Sequence, residues 1–393
     1  MQAGEAGRHL RRALVVLAAL TLVLGTVAGC GGDDGDEAEN GTTPAGEAGG
    51  DLVEQARSEI EQAREPLEFE PPGSEIDVSE VQGKRVLVLS VDQRIPALAA
   101  VASAIREAGG VAGVQVSTFD ARSDPSRMQQ GVRQASQQAD AMILLGIPIA
   151  LVEQNLPPKE QVPAVSVLNN EPVADDPGQG AGSDRVYAST APSYFRGGQL
   201  AAYKAIVDTD AAANVVIFNT SEITPAASVV SGMRDVLDRC DECTVRQNDT
   251  PLAEWATALT GKAQSEIRRN PDVNYLLPIF DGMAIFVTAG INQAGAADRV
   301  QNASFNATPA ALKLIQNGDP LTADPGQPNG WTGWAALDQA LRGMLGEEPA
   351  EPEIPQRYFD AENLEGVNVD DEAELFGDPD YEGGFRELWG VDD

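Results

Sequence analysis

Short apolar runs alternate with longer amphipathic stretches along most of the chain, and turn-forming residues separate them. Arg85–Val91 (RVLVLSV) is a run of β-branched and aliphatic residues of the kind buried on both faces of a parallel sheet. It stops at Asp92-Gln93-Arg94, and Pro96 opens a helix predicted through Glu107, since proline's missing N–H costs nothing in a first turn. Gly109-Gly110 is expected to end that helix, and Val114–Phe119 reads as the second strand. Asp124-Pro125 opens the next helix and Ala141–Leu145 (AMILL) is a third strand. Crossovers between parallel strands are right-handed, so this stretch predicts one parallel sheet with helices on both faces.

The pattern then repeats. Val162–Val167 is a fourth strand ending in Leu168-Asn169-Asn170, and Glu171–Arg185, rich in Gly, Pro and Asp, is loop. A short strand at Val186–Ser189 and a helix over Ser193–Val207 lead into a second domain. There, strands are predicted at Val215–Phe218, Thr244–Gln247, Tyr275–Phe280 and Val300–Phe305. Helices fall at Ala226–Leu237, Glu254–Arg269 and Met283–Gln293, with a fourth opening at Thr308-Pro309. Leu321–Ala323 runs into a turn-rich crossing, Asp324–Pro328. The helix Trp331–Leu345 and a last strand, Arg357–Phe359, follow. The fold class is α/β, with two doubly wound, Rossmann-like parallel-sheet lobes. In such sheets ligands bind outside the carboxyl ends of the strands, so the polar residues just past each strand are the candidates for function.

Composition narrows the function classes. A chain of 393 residues is too long for one compact core. Its 61 acidic against 27 basic residues give a net charge of −34, which disfavours nucleic acid and anionic membrane surfaces as partners. The only histidine, His9, lies in a predicted leader, so His-based catalysis and His-ligated zinc are not expected of the mature protein. With no nucleophile motif or metal constellation, the expectation is a binding protein without cofactor rather than an enzyme.

Arg8, Arg11 and Arg12 precede the apolar run Ala13–Leu24, and small residues follow as far as Cys30. A basic start, a short apolar middle and a small-residue exit define an export signal, too short to span a bilayer comfortably. Val27-Ala28-Gly29-Cys30 resembles the bacterial lipoprotein box, with Val where Leu is more usual. The resemblance implies cleavage before Cys30 and lipidation of its sulfur; an uncleaved anchor, or an ordinary signal with an incidental Cys, is the alternative. Gly31–Gly50 has almost no apolar side chains and reads as a flexible acidic tether. Asp51–Arg64 reads as a short polar helix with Leu52, Ala56, Ile60 and Ala63 along one side, and serves with Pro66–Val81 as a spacer.

Cys240-Asp241-Glu242-Cys243 admits three readings. Zinc would need two further ligands. A redox pair would place its first Cys at a helix start, whereas Cys240 follows a helix. In an exported chain a small structural disulfide is the expected outcome.

Two successive α/β domains behind a lipoprotein leader resemble a type I periplasmic binding protein, the ribose/galactose-type substrate-binding component of ABC importers. The likeness covers Lys84 to Phe359. Val162–Asn170 (VPAVSVLNN) stands where that family has a Val-Pro-aliphatic strand ending in an Asp-Arg-like pair. Phe280-Asp281-Gly282-Met283-Ala284 matches its Asn-Asp-x-Met-Ala signature, and Ser304–Pro309 its Gly-Phe-Asp-Gly-Thr-Pro stretch. Asp324–Pro328 sits near its final hinge Gln. The resemblance implies two lobes joined by three crossover segments, with a solute enclosed between them. It divides the chain into a signal peptide (1–29), a tether (30–50) and a helix with spacer (51–83). The first lobe is then 84–188 with about 328–350, the second 189–327 with about 351–375, and 376–393 is an acidic tail, although Phe376, Tyr381, Phe385, Leu388 and Trp389 suggest that parts of it dock rather than float.

Carried over residue by residue, the ligand-binding candidates are Asp92 and Arg94 after strand one, Asn169 and Asn170 after strand four, and Asn219, Asp281, Asn306 and Gln327 in the second lobe and hinge. Trp255 is a candidate aromatic wall and Arg196 a candidate at the lobe crossing; Trp331 and Trp334 are either walls or core contacts of their own helix. The chain departs from ribose-type proteins in lacking an aromatic pair after strand one and an Arg near Pro225–Ser228. The implied function is a monomeric lipoprotein on the extracytoplasmic face of the cell membrane. It would bind a small-molecule solute, a sugar or polyol, and present its closed form to the ABC permease. A receptor for a membrane sensor, or a binder of a non-sugar solute, is the alternative.

Overall fold

The computed structural model describes residues 45–169, 182–350 and 353–391. The predicted signal peptide, Cys30, residues 31–44 of the predicted tether, Asn170 and residues 171–181 of the predicted loop lie outside the described residues.

The first described element, α1 (Ala45–Arg64), begins inside the expected tether. The first sheet contains β1 (Arg85–Ser90), β2 (Gln115–Asp120), β3 (Ala141–Leu145), β4 (Ala164–Val167) and β5 (Ala188–Thr190). These five strands pair in the order β2-β1-β3-β4-β5, all parallel. Between them lie α2 (Pro96–Val111), α3 (Pro125–Gln138) and the short α4 (Ile149–Val152). Asp124 caps α3, its side chain accepting from the Ser126 and Arg127 N–H groups. Contrary to expectation, α2 runs straight through Gly109-Gly110. A Cβ at Gly109 would lie 2.3 Å from the Val116 side chain, so this glycine lets helix and strand approach rather than ending the helix.

The second sheet repeats the plan. β6 (Asn214–Asn219), β7 (Thr244–Asp249), β8 (Tyr275–Pro278), β9 (Gln301–Ala303) and β10 (Leu321–Ala323) pair in parallel in the order β7-β6-β8-β9-β10. Its helices are α5 (Tyr194–Asp208), α6 (Ala226–Leu237), α7 (Trp255–Arg269), α8 (Asp281–Gln293) and α9 (Pro309–Gln316). α5 and α6 pack backbone to backbone: a Cβ at Gly232 would lie 1.9 Å from the Phe195 carbonyl oxygen, and one at Gly198 2.1 Å from that of Val229. In each sheet the first strand is flanked by the second and third, which puts the switch in strand order beside β1 and beside β6.

The chain leaves the first sheet at Thr190 and crosses to α5, then leaves the second sheet at Ala323 and crosses to α10 (Asn329–Leu345), which packs on α2 in the first lobe. Both departures start from the carboxyl end of a strand, so the carboxyl edges of both sheets flank the crossings. The third crossing pairs with the other two through single bridges, Pro192 with Ile354, Gly326 with Arg357 and Ala323 with Asp360. The predicted strand Arg357–Phe359 is therefore only one isolated antiparallel bridge at Arg357, with a second just beyond it at Asp360. Cys240 and Cys243 are joined as a disulfide.

Two further passages between the lobes were not anticipated. α1, read as a polar spacer, buries Leu52, Val53, Ala56 and Ile60 in the core of the second lobe. Arg196 and Arg239 on that lobe hold its outer face through Glu59 and Gln55, at 2.7 and 3.0 Å. The chain after Arg64 then returns to the first lobe, where Ile76, Val78 and Val81 are buried. The C-terminal segment makes the same passage: α11 (Glu372–Phe376) belongs to the second lobe, whereas α12 (Tyr381–Leu388) buries Phe385, Leu388 and Trp389 against Trp331 and Trp334 of α10. The two returning stretches are linked by Leu67 N–H donating to Phe376 O at 3.0 Å and Ile76 N–H to Leu388 O at 2.9 Å. The acidic tail thus docks, as its aromatic residues suggest, and through Trp389 it is part of a core; that it returns to the first lobe was not foreseen.

Candidate ligand-binding cleft

On the first lobe the residues past β1 form a tight polar turn. Asp92 is buried, and its carboxylate accepts from Arg94 N, Nε and Nη2 at 3.0, 2.9 and 2.6 Å and from Ser123 Oγ at 2.8 Å. The Arg94 hydrogen bonds hold this carboxyl well below the usual carboxylate range, against the opposing effect of burial. The Arg94 side chain itself is 76% exposed, so its guanidinium stands at the rim with its inner edge committed to Asp92. Gln93 donates its N–H to Asp120 Oδ1 at 3.1 Å, while its buried Nε2 meets no acceptor. Asn169, one residue past Leu168 at the end of β4, is buried.

On the second lobe β6 delivers Asn219, whose Nδ2 donates to Asp249 Oδ1 at 2.8 Å and whose buried Oδ1 accepts nothing. Asp249 also receives the N–H and hydroxyl of Ser221, at 3.0 and 3.1 Å. A cavity of about 430 Å³ opens there, lined by Asn219, Ser221, Glu222, Thr224 and Gln247 among others.

Asp281 starts α8. Its N–H donates to Phe305 O at 2.9 Å and its Oδ2 accepts from Thr308 N at 2.8 Å, with Asn306 and the Gly282 N–H as further donors. Burial nevertheless raises its pKa, because these donors do not offset the loss of water. The Trp255 indole lies against the same turn, where a Cβ at Gly282 would be 3.3 Å from its Cζ3, and its Nε1 donates to Thr250 O at 3.3 Å. Asn306 N–H donates to Pro325 O at 2.8 Å, and a Cβ at Gly326 would fall 2.5 Å from the Asn306 carbonyl carbon. This close approach brings the hinge segment Asp324–Pro328 against the Asp281 turn. Asp324 is fully buried beside Asp281, with the Ala307 N–H as a further neighbour and no other side-chain partner, and burial first, the Asp281 charge second, raise its pKa strongly. Gln327 is buried with Oε1 unpartnered.

The structure thus gathers Asp281, Asn306 and Gln327 at the hinge with Trp255 alongside, sets Asn219 at the end of β6, and couples Asp92 to Arg94 after β1. It does not bring Arg196 to this group: that guanidinium is paired with Glu59 of α1, because α5 presents it to the docked helix. Trp331 and Trp334 are core residues, Trp331 against Phe69 and Tyr381 and Trp334 stacked on Trp389 at 5.4 Å between centroids. Sequence reasoning missed Asp324, which reads as the opening of an Asp-Pro-Gly turn, and Asp249, which orients Asn219. Several buried polar atoms without a partner fall at these carboxyl edges: Ser90 Oγ, Gln93 Nε2, Thr190 Oγ1, Asn219 Oδ1, Asp324 Oδ1 and Oδ2, and Gln327 Oε1. Buried polar groups are normally satisfied by protein or by water, so these atoms retain hydrogen-bonding capacity at the carboxyl edges.

Solved structures share this architecture. The 5-methylthioribose transporter solute-binding protein of Thermotoga lettingae, in complex with 5-methylthioribose, superposes with a TM-score of 0.66 at 18% identity, over 78% of this chain and 99% of its own. An ABC transporter solute-binding protein of Agrobacterium vitis with bound allitol gives 0.63 at 16%, over 72% and 97%. One of Bacillus halodurans with bound myo-inositol gives 0.61 at 18%, over 75% and 99%. No protein-family model matches the chain, and a search of curated proteins gives no match either. The fold is that of the solute-binding proteins of ABC transporters, in its type I periplasmic form. Among the described residues no helix is long and apolar enough to cross a membrane.

Proposed function

We propose that this protein is the extracytoplasmic solute-binding lipoprotein of an ABC importer. It takes a small sugar or sugar-like solute between its lobes and presents the closed form to the permease. The observation that carries the reading is the set of buried, unpartnered polar groups at the carboxyl edges of both sheets, facing the hinge, with the solute's hydroxyls as the missing partners. The similar structures named above hold 5-methylthioribose, allitol and myo-inositol, and these set the size and polarity of the solute expected here. Asp281, Asn306, Gln327 and Asn219 bind from the second lobe and hinge, Asp92, Arg94 and Asn169 from the first, and the Trp255 ring forms a wall beside Asp281. Asp281 accepts from solute hydroxyls through charge-assisted bonds. Hinge closure completes the enclosure. The reading includes lipidation at Cys30, which holds the protein on the outer face of the membrane; Cys30→Ser should release it from the membrane fraction.

The test is a thermal-shift screen of sugars, polyols and their derivatives, followed by calorimetry and solution scattering on each hit. A compound that binds should reduce the radius of gyration, and Asp281→Ala should weaken it by about 2 kcal/mol or more, the loss of a buried charge-assisted contact. Binding unchanged in that variant would remove Asp281 from the site. Turnover of a bound compound would overturn the transport reading.

A further inference from the structure

Resting on that solute-binding reading, we infer that the solute is an amine-bearing sugar or polyol, selected over its neutral hydroxyl counterpart by the Asp281–Asp324 pair. Apart from the Thr220 hydroxyl just past β6, the unpartnered atoms on the second-lobe side of the site are acceptors. Asn219 Oδ1, Asp324 Oδ1 and Oδ2 and Gln327 Oε1 are all acceptors, and the three side chains are at most 8% exposed. A hydroxyl brings an acceptor with every donor, whereas an ammonium brings three donors and no acceptor.

The charge around the pair points the same way. The turn past β9 contributes Asn306, the Ala307 N–H and Thr308, all neutral, and α8 contributes backbone N–H groups besides Asp281. α7 contributes the Trp255 ring. From the third crossing, Asp360 is paired with Arg64, while the Arg357 guanidinium donates to Arg64 O and Leu375 O. Among the described residues no Lys or Arg pairs with either carboxyl, and residues 170–181 contain none. Two buried carboxyls in contact do not both ionise, so the empty site keeps one proton between them. An ammonium takes that proton's place: the pair passes from one negative charge to two, the proton leaves to solvent, and the cation replaces the proton's positive charge, so the net charge of the site is unchanged. Asp324, fully buried and in contact with Asp281, is a positioning residue that sets the charge Asp281 presents.

The experiment compares matched pairs by calorimetry at pH 7: glucosamine with glucose, galactosamine with galactose, and N-methylglucamine with glucitol. Each is run in two buffers of different ionisation enthalpy. At least one amine should bind about tenfold or more tighter than its neutral partner, in line with a hydrogen bond to a charged group, and should release about one proton on binding. Asp324→Asn should abolish the release and bring the preference below about threefold, consistent with the loss of one charge from the pair. Equal or tighter binding of the neutral member in every pair, or amine binding without proton release in the wild-type protein, overturns the inference and leaves the solute-binding reading standing. Failure of both members of all pairs overturns it together with the sugar-like solute class.

Discussion

Asp338→Ala should destabilise the first lobe severely, because it leaves a buried cation without its partner. Asp338 and Arg342 lie one turn apart on α10 with side chains 0% and 3% exposed. Asp338 Oδ2 accepts from Arg342 Nε at 2.8 Å and Oδ1 from Trp389 Nε1 at 2.9 Å, while Arg342 Nη2 donates to Ser74 O at 2.8 Å. One carboxylate therefore joins α10, the C-terminal segment and the chain that precedes β1. Its removal leaves the guanidinium with the Ser74 carbonyl, and the indole N–H with nothing. Breaking a buried pair from one side costs about 3–5 kcal/mol. At a urea dependence of about 2–3 kcal/mol per molar, that lowers the midpoint of unfolding by roughly 1–2 M. Urea titration followed by near-ultraviolet circular dichroism reads the transition through the stacked Trp334 and Trp389. A loss below about 1 kcal/mol would refute the argument. The double variant Asp338→Leu, Arg342→Met removes both charges and should recover part of the loss, since what is costly is the unpaired ion.

Asp92→Asn should flatten the acid limb of stability. The folded-state pKa of Asp92 lies below its unfolded value, so its contribution is complete above about pH 4–5 and disappears as pH falls towards the folded pKa; an unchanged acid limb in thermal melts from pH 3 to 7 would contradict this. The Asp281–Asp324 pair works with the opposite sign. Its pKa values are raised, so stability is lost as pH rises through and above the unfolded carboxyl value, and Asp324→Asn should raise the melting temperature of the empty protein more at pH 8 than at pH 5. Gly232→Ala puts a Cβ 1.9 Å from the Phe195 carbonyl oxygen and should cost about 1–3 kcal/mol or more by forcing α5 and α6 apart, measured by chemical denaturation. Ile60→Asp should undock α1, read as rapid amide exchange over residues 50–62 with the exchange of β1 unaffected.

Strands were legible where an apolar run is closed by turn residues. Ala141–Leu145 is bounded by Asp140 and Gly146, and the structure keeps those ends. Ala226–Leu237 likewise keeps both predicted ends. Gly109-Gly110 misled because a glycine that admits a neighbouring side chain looks the same in sequence as one that ends a helix. α1 was underread because small Ala56 and half-buried Ala63 carry part of its apolar stripe, and nothing local shows that the stripe's partner lies on the second lobe. In the candidate site, a resemblance pointed to Asp281 and Gln327, whereas nothing in the sequence pointed to Asp324. Its proximity to Asp281 depends on the pairing of β9 with β10 and on the Asn306–Pro325 hydrogen bond, which join segments distant in sequence. Arg196 was misplaced for a related reason: its partner, Glu59, is distant in sequence and lay in a segment assigned no structure of consequence.

Of the four tryptophans, Trp331, Trp334 and Trp389 are packed together in the first lobe, and Trp255 stands alone on the second, against the glycine that follows Asp281. Indole emission from this protein therefore has two separable origins. A broad background arises from the stacked cluster, and a single half-buried reporter sits against the Asp281 turn of the proposed cleft. Trp255→Phe would subtract that reporter, and the difference spectrum would give an optical readout of occupancy without any added label.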